Sequence, residues 1–132
     1  MNESDLEIGR VLLRFDEVVE EHNSYLEELE NLLELPSIDK ERVIRLLKRL
    51  RRTRKEILNG INSISIHINN SKDAKIREEA LGIMNYFYIV GINDEENVLR
   101  KVITLDSTMK DEVENDISAL ERIKSLVMQF IY

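Results

Sequence analysis

The chain has 132 residues, of which 42% are hydrophobic and 34% charged, with one proline, four glycines and no cysteine. This composition predicts a single folded domain spanning residues 1–132, and it excludes disulfides, thiolate metal sites, a cysteine nucleophile and a loop-rich all-β fold. The net charge of −7 argues against a general polyanion binder, and the lack of a signal peptide or a long apolar stretch predicts a soluble, cytoplasmic protein without a membrane partner.

The first predicted helix runs from Ser4 to about Leu35. Ser4 and Glu7 have the spacing of a capping box, in which each side chain binds a free backbone N–H at the start of a helix. Pro36 predicts the end, because a proline disfavours helical geometry in the residue before it. Between these points apolar side chains recur at alternating spacings of four and three, which is typical of a bundle helix. These positions are Ile8, Leu12, Phe15, Val19, His22, Leu26, Leu29 and Leu33.

The second predicted helix begins at Ser37 or Asp39 and continues the same rhythm to about residue 70, except that Arg54 stands where an apolar residue is expected. Residues 61–68 (INSISIHI) alternate as a strand would, but no other segment offers a partner strand, so a helix is favoured. The short connection at Pro36 predicts that these two helices form an antiparallel hairpin, residues 4–70.

The second half of the predicted fold is residues 72–132. A third helix is expected from Lys72 to Val90, ended by Gly91, and Asp94 is placed to cap a fourth helix. We expect the fourth helix to continue to the end of the chain; the alternative is a break at residues 105–108, which would create a fifth helix. The fold class is therefore all-α, an antiparallel bundle of four long amphipathic helices, or of five with the break.

Charge is unevenly distributed along the hairpin. Residues 36–59 carry nine basic and three acidic side chains, whereas residues 1–35 carry two basic and eleven acidic ones. The basic face 42–55 is a candidate nucleic-acid site, because it would neutralise backbone phosphates. The residues that would do so are Arg45, Lys48, Arg49, Arg52 and Lys55.

Pairing within the hairpin is the favoured explanation of the basic face. In this hairpin, positions whose numbers sum to about 72 lie opposite each other, so basic and acidic runs would meet and set the register. Arg42 and Arg45 would then lie near residues 27–30, and Arg51 and Arg52 near residues 20–21. An acidic protein partner is the remaining alternative.

No constellation of an enzyme emerges from the sequence. His22 lies on the apolar stripe, which favours a buried, hydrogen-bonded imidazole, and His67 is expected roughly 25 Å away, too far for a shared metal ion. Neither histidine completes the Glu-x-x-His pattern of a di-metal bundle, and a glycine-rich phosphate loop is missing. We therefore predict no enzymatic activity, no cofactor, no metal and no small-molecule substrate.

Two segments, residues 83–90 and 126–132, are apolar on nearly all sides. A helix of this kind must be buried on every side, and a fourth helix of about 37 residues would overhang a third of about 20. We therefore predict an interface for a second copy of the chain or for another protein; the alternative is that both segments pack on the hairpin. The predicted interface residues are Ile83, Tyr86, Phe87, Tyr88, Val127, Phe130 and Tyr132.

These features together predict a non-enzymatic protein–protein interaction module, such as an adaptor, a regulator or a small assembly subunit, that self-associates as a homodimer. The alternative is a nucleic-acid-associated helical protein that uses the basic face 42–55.

Overall fold

The computed structural model describes residues 2–131, with side chains for residues 2–130. Five α-helices are α1 (Glu3–Leu33), α2 (Lys40–His67), α3 (Ala74–Tyr86), α4 (Ile92–Leu105) and α5 (Lys110–Ile131). Short 3₁₀ turns occupy Ile68–Asn70 and Ser107–Met109, and a π-helical turn occupies Phe87–Gly91. The described part of the chain contains no strand, so the all-α prediction is confirmed, as is the helical interpretation of residues 61–67.

Of the two predicted N-terminal caps in the hairpin, the one of α2 is confirmed and the one of α1 is not. Asp39 caps α2 as predicted, accepting a hydrogen bond from the backbone N–H of Arg42. The predicted capping box at Ser4 is wrong, because the side-chain oxygen of Asn2 accepts from the N–H of Asp5 at 2.8 Å. Asn2 also donates to the carbonyl of Asn70, in the 3₁₀ turn after α2, at 2.9 Å, and this contact holds it in the capping position.

The predicted end of the third helix at Gly91 is wrong. A glycine ends a helix by adopting a positive φ, but Gly91 has φ −58°, and the chain passes through the π turn directly into α4. The predicted cap at Asp94 is wrong for the same reason, since this residue lies inside the continuing helix. Residues 74–105 therefore form one long helical rod made of α3, the π turn and α4.

The break between the last two helices lies where the alternative prediction placed it. Asp106 has extended backbone angles, φ −142° and ψ 93°, and its carboxylate accepts from the N–H of Thr108 at 3.1 Å. The favoured continuous fourth helix was therefore wrong. With a rod at residues 74–105 and 22 residues in α5, the expected overhang of a long fourth helix does not exist.

The helices pack as two hairpins laid side by side. α1 and α2 are antiparallel, and the rod runs parallel to α1, since Asn2 contacts Asn70 near one end and Glu30 contacts Lys101 near the other. α5 lies against the rod and α2. One connected hydrophobic core includes residues from all five helices. This arrangement leaves the outer seam between α1 and α3 open to solvent.

Candidate protein-binding groove

The predicted interface residues do not form one exposed surface. Phe87 is 6% exposed and Val127 0%, so both belong to the core of the single chain; the ring of Phe87 packs edge-on against Phe15 at 6.0 Å between centroids. Ile83, Tyr88 and Phe130 are half-buried, and Tyr86 is exposed. Tyr132 lies outside the described residues. Burial among the other helices therefore explains the apolar character at Met84, Phe87 and Val127, whereas Ile89, Val90 and Met128 are exposed.

A large groove follows the seam between α1 and α3. It encloses about 1160 Å³ and includes three of the predicted interface residues, Ile83, Tyr86 and Phe87. Its lining extends along α1 from Asp5 to Glu27, which at 1.5 Å per residue is about 33 Å. Leu13 in its wall is 74% exposed. The other apolar lining residues include Leu6, Leu12, Phe15, Val19 and Ile76.

Two glycines line this groove in the middle of helices. A Cβ atom built on Gly9 or on Gly82 would meet nothing within 4 Å. Packing within the chain therefore does not require glycine at either position, although each glycine costs about 1 kcal/mol of helix stability relative to alanine. The groove wall is therefore low at these two positions.

Carboxylates border the groove on both sides. Asp16, Glu20 and Glu27 of α1 and Glu79 of α3 are exposed lining residues. Among the described residues, none of the four has an ion-pair or hydrogen-bond partner. The one basic lining residue, Arg10, pairs with Glu7 at 2.5 Å. The groove therefore combines an apolar floor with an acidic rim.

The basic face of α2 is partly engaged by α1. Arg52 pairs with Glu21 at 3.1 Å, and the guanidinium of Arg49 lies over the ring of Tyr25 at 5.6 Å from its centroid. The other three candidates are exposed and have no ion pair within residues 2–131. They are Arg45, Lys48 and Lys55.

The predicted pairing across the hairpin is right at two positions and wrong at two. Arg42 contacts Glu28 at 3.4 Å and Arg52 contacts Glu21, as the register requires. Arg51 instead turns to α5, where it binds both carboxylate oxygens of Asp116 at 2.8 Å. Arg45 has no acidic partner in the described chain. Arg51 departs from the prediction because it faces α5, a neighbour that hairpin geometry does not include.

A buried ionic cluster lies at the centre of the bundle. Arg54 donates to Glu95 through Nε at 3.0 Å and to Asp116 at 2.9 Å. Glu95 also binds His22, whose other ring nitrogen lies 2.6 Å from the hydroxyl of Thr53. Burial raises the pKa of Glu95, but the hydrogen bond from His22 and the charge of Arg54 outweigh it, so this pKa lies below the ordinary 4.5.

Opposite charges meet directly in this cluster. Its two carboxylates share one guanidinium, that of Arg54. The hydroxyl of Thr53 lies 2.6 Å from Nδ1 of His22 and 3.2 Å from the carbonyl of Leu50, so it can donate its one proton to either acceptor. Paired charges with complete hydrogen bonding are what make the burial of ionised side chains tolerable.

The cluster holds helices together and leaves little room for a substrate. The nearby internal cavity has about 20 Å³, roughly the space for one water molecule. In the described chain, no buried side-chain polar atom lacks a hydrogen bond. No group of three or more His, Asp or Glu residues in residues 2–131 has the arrangement to hold a metal ion.

The sequence carried a partial signal for this cluster. His22 was expected to be buried and hydrogen-bonded, which is confirmed, and Arg54 interrupted the apolar stripe of α2. Glu95 directly follows the predicted cap Asp94, which placed it in the first turn of a new helix, and its role in the cluster was therefore missed.

None of the helices in residues 2–131 has the combination of length and apolarity needed to cross a membrane. Comparisons of the chain with protein-family models, curated proteins and solved structures found no match.

Proposed function

We propose that this protein is a non-enzymatic interaction module whose groove between α1 and α3 receives an amphipathic helix of another protein. The observation that carries the proposal is the groove itself, with its apolar floor and the exposed Leu13 in its wall. Helix-in-groove recognition places one apolar helix face, with anchors at spacings of three and four, into a hydrophobic cleft. The exposed large apolar side chains in its lining are Leu6, Leu13 and Tyr86, and exposed apolar side chains that cluster together are a feature of association sites.

The dimensions of the groove favour a helix over a small molecule. Small-molecule sites are compact and enclose about 300–1000 Å³, whereas this groove is larger and about 33 Å long. A helix of roughly 20 residues has the same length. The low wall at Gly9 and Gly82 supports close approach of that helix to the floor.

A second copy of the chain is a poorer occupant. In a two-fold symmetric dimer the same surface meets itself, so the acidic rims of two grooves would face each other and repel. The homodimer predicted from the sequence therefore becomes an outcome to be measured. Light scattering distinguishes a monomer from a homodimer, since a single chain has a mass of 15.5 kDa.

A direct test uses a neutral model peptide of 21 residues, with leucine at spacings of three and four and glutamine elsewhere, labelled with a fluorophore. We expect the wild-type protein to bind it and Leu13→Asp to lose at least about tenfold in affinity, because a carboxylate on the apolar wall must be desolvated. The matched control is Ile66→Asp on α2, since Ile66 is 71% exposed and lies outside the groove. This control is expected to bind like the wild type.

Two results would overturn the proposal. One is that the wild-type protein does not bind the peptide, or that Leu13→Asp and Ile66→Asp lower the affinity for the peptide equally. The other is a dimer in light scattering that Leu13→Asp converts to a monomer, which would assign the groove to a second copy.

Association with nucleic acid is the second candidate function. It is supported by Arg45, Lys48 and Lys55, which are exposed and have no acidic partner in the described chain. If it is correct, duplex DNA binds with an affinity that falls steeply with salt and that weakens in the double variant Lys48→Glu/Lys55→Glu. Failure to bind at low salt would remove this candidate.

A further inference from the structure

We infer that the helix received by the groove is cationic, with lysine or arginine on both flanks of its apolar face. This inference rests on the proposed function and names the chemistry of the partner. Its basis is the sorting of carboxylates along α1, where one row is neutralised within the chain and another is not.

The neutralised row consists of Glu17, Glu21 and Glu28, spaced by four and seven residues. Glu21 pairs with Arg52 and Glu28 with Arg42, both on α2. Glu17 pairs with Arg14, whose guanidinium also contacts Glu56 of α2 at 3.0 Å. Each of the three carboxylates on the side of α1 that faces α2 therefore has an ion-pair partner, although Arg14 is shared between Glu17 and Glu56.

The other row, Asp16, Glu20 and Glu27, has the same spacing but starts one residue earlier. One residue turns the helix by about 100°, which moves this row from the side facing α2 to the rim of the groove. The one basic lining residue, Arg10, pairs with Glu7 instead, and all three carboxylates are exposed and have no partner among the described residues. On the opposite rim, Glu79 of α3 is likewise exposed and has no partner among the described residues.

A helix lying in the groove with its apolar face down would carry its flanking side chains past these carboxylates. Lysine or arginine there would form charge pairs on both sides, whereas glutamate or aspartate would be repelled. The same rim disfavours the phosphates of nucleic acids and of anionic lipid surfaces. Charge complementarity therefore points to a basic amphipathic helix.

The test compares three 21-residue peptides that share one leucine pattern and carry lysine, glutamine or glutamate at all other positions. Each exposed charge pair contributes about two- to fivefold in affinity, so four rim carboxylates predict at least tenfold tighter binding of the lysine peptide than of the glutamate peptide at low salt. The difference should shrink as salt approaches 1 M, where the Debye length is about 3 Å.

Variants separate the rim from the overall charge of the protein. Glu20→Gln/Glu27→Gln should weaken binding of the lysine peptide on the order of tenfold while leaving the glutamine peptide unchanged. The control, Asp111→Asn/Glu121→Gln, changes the net charge equally, and both residues are exposed on α5 outside the groove. It should leave both affinities within about twofold.

The possible failures are distinguishable. If the glutamine peptide binds and the lysine and glutamate peptides bind equally, the groove remains a helix-binding site and the inference about charge is overturned. If the control pair weakens the lysine peptide as much as the rim pair, general attraction explains the preference and the rim does not. If no peptide binds, the proposed function itself fails.

Discussion

Replacing Glu95 by glutamine should destabilise the protein far more than an exposed carboxylate would. Glu95 is 3% exposed and binds both His22 and Arg54. Removing one partner of a buried ion pair typically costs 3–5 kcal/mol, because the remaining charge is buried without compensation. Arg54 keeps Asp116 at 2.9 Å, so we expect the lower end, about 3 kcal/mol in the free energy of unfolding. For a domain of this size that corresponds to a melting temperature roughly 10 °C lower.

A double-mutant cycle measures how much of this cost comes from the interaction between Glu95 and Arg54. Arg54→Met also removes a buried charge and is expected to be destabilising alone, because it leaves Glu95 with His22 only. In the double variant neither charge remains, and Asp116 still has Arg51. The double variant should therefore be more stable than the sum of the single effects predicts, by about 1–3 kcal/mol.

Urea denaturation followed by circular dichroism measures all four free energies. The neighbouring variant Glu96→Gln is the control, because Glu96 forms only a local pair with the exposed Arg100, worth about 0.5 kcal/mol or less. The reasoning would be refuted if Glu95→Gln cost less than about 1 kcal/mol, or if the two single effects were additive.

Three further predictions concern acid stability, a close contact and a helix cap. The pKa of Glu95 is lowered on folding, so the unfolded state binds more protons than the folded state as the pH falls below about 4.5. The free energy of unfolding should therefore decrease in this pH range. The decrease should be less steep in Glu95→Gln. Gly60→Ala would place a Cβ atom 2.6 Å from two ring atoms of Phe15; we expect a net loss of about 1 kcal/mol in denaturation, and a gain would show that the ring shifts freely. Asp73 accepts from two backbone N–H groups at the start of α3, so Asp73→Ala should cost about 1 kcal/mol. Asp94→Ala should cost almost nothing in the same assay, because Asp94 lies inside the continuing rod; an equal cost would indicate that a helix begins there.

The sequence by itself determined the features that depend on near neighbours in the chain. The alternating spacing of four and three identified the buried stripe of α1, including the hydrogen-bonded His22. Pro36 and Asp39 located the turn of the hairpin, and a connection that short permits only antiparallel neighbours. The register that follows correctly brought Arg42 to Glu28 and Arg52 to Glu21.

The tertiary structure decided the features in which a local signal permits two outcomes. Gly91 can end a helix or continue one, and here the burial of Phe87 and Ile92 on either side of it keeps the rod helical. Continuation of the rod turns Glu95 inward to meet Arg54, so a residue that resembles an exposed first-turn acid becomes the centre of a buried cluster.

The groove is the clearest case of a property that no local pattern contains. The residues of its floor look like ordinary core positions in the sequence, and the carboxylates of its rim look like ordinary solvated faces. They become a candidate binding surface because α3 lies beside α1 without closing the seam between them. The distance between two helices depends on the side chains packed beneath both of them, and the spacing of residues along either helix does not encode it.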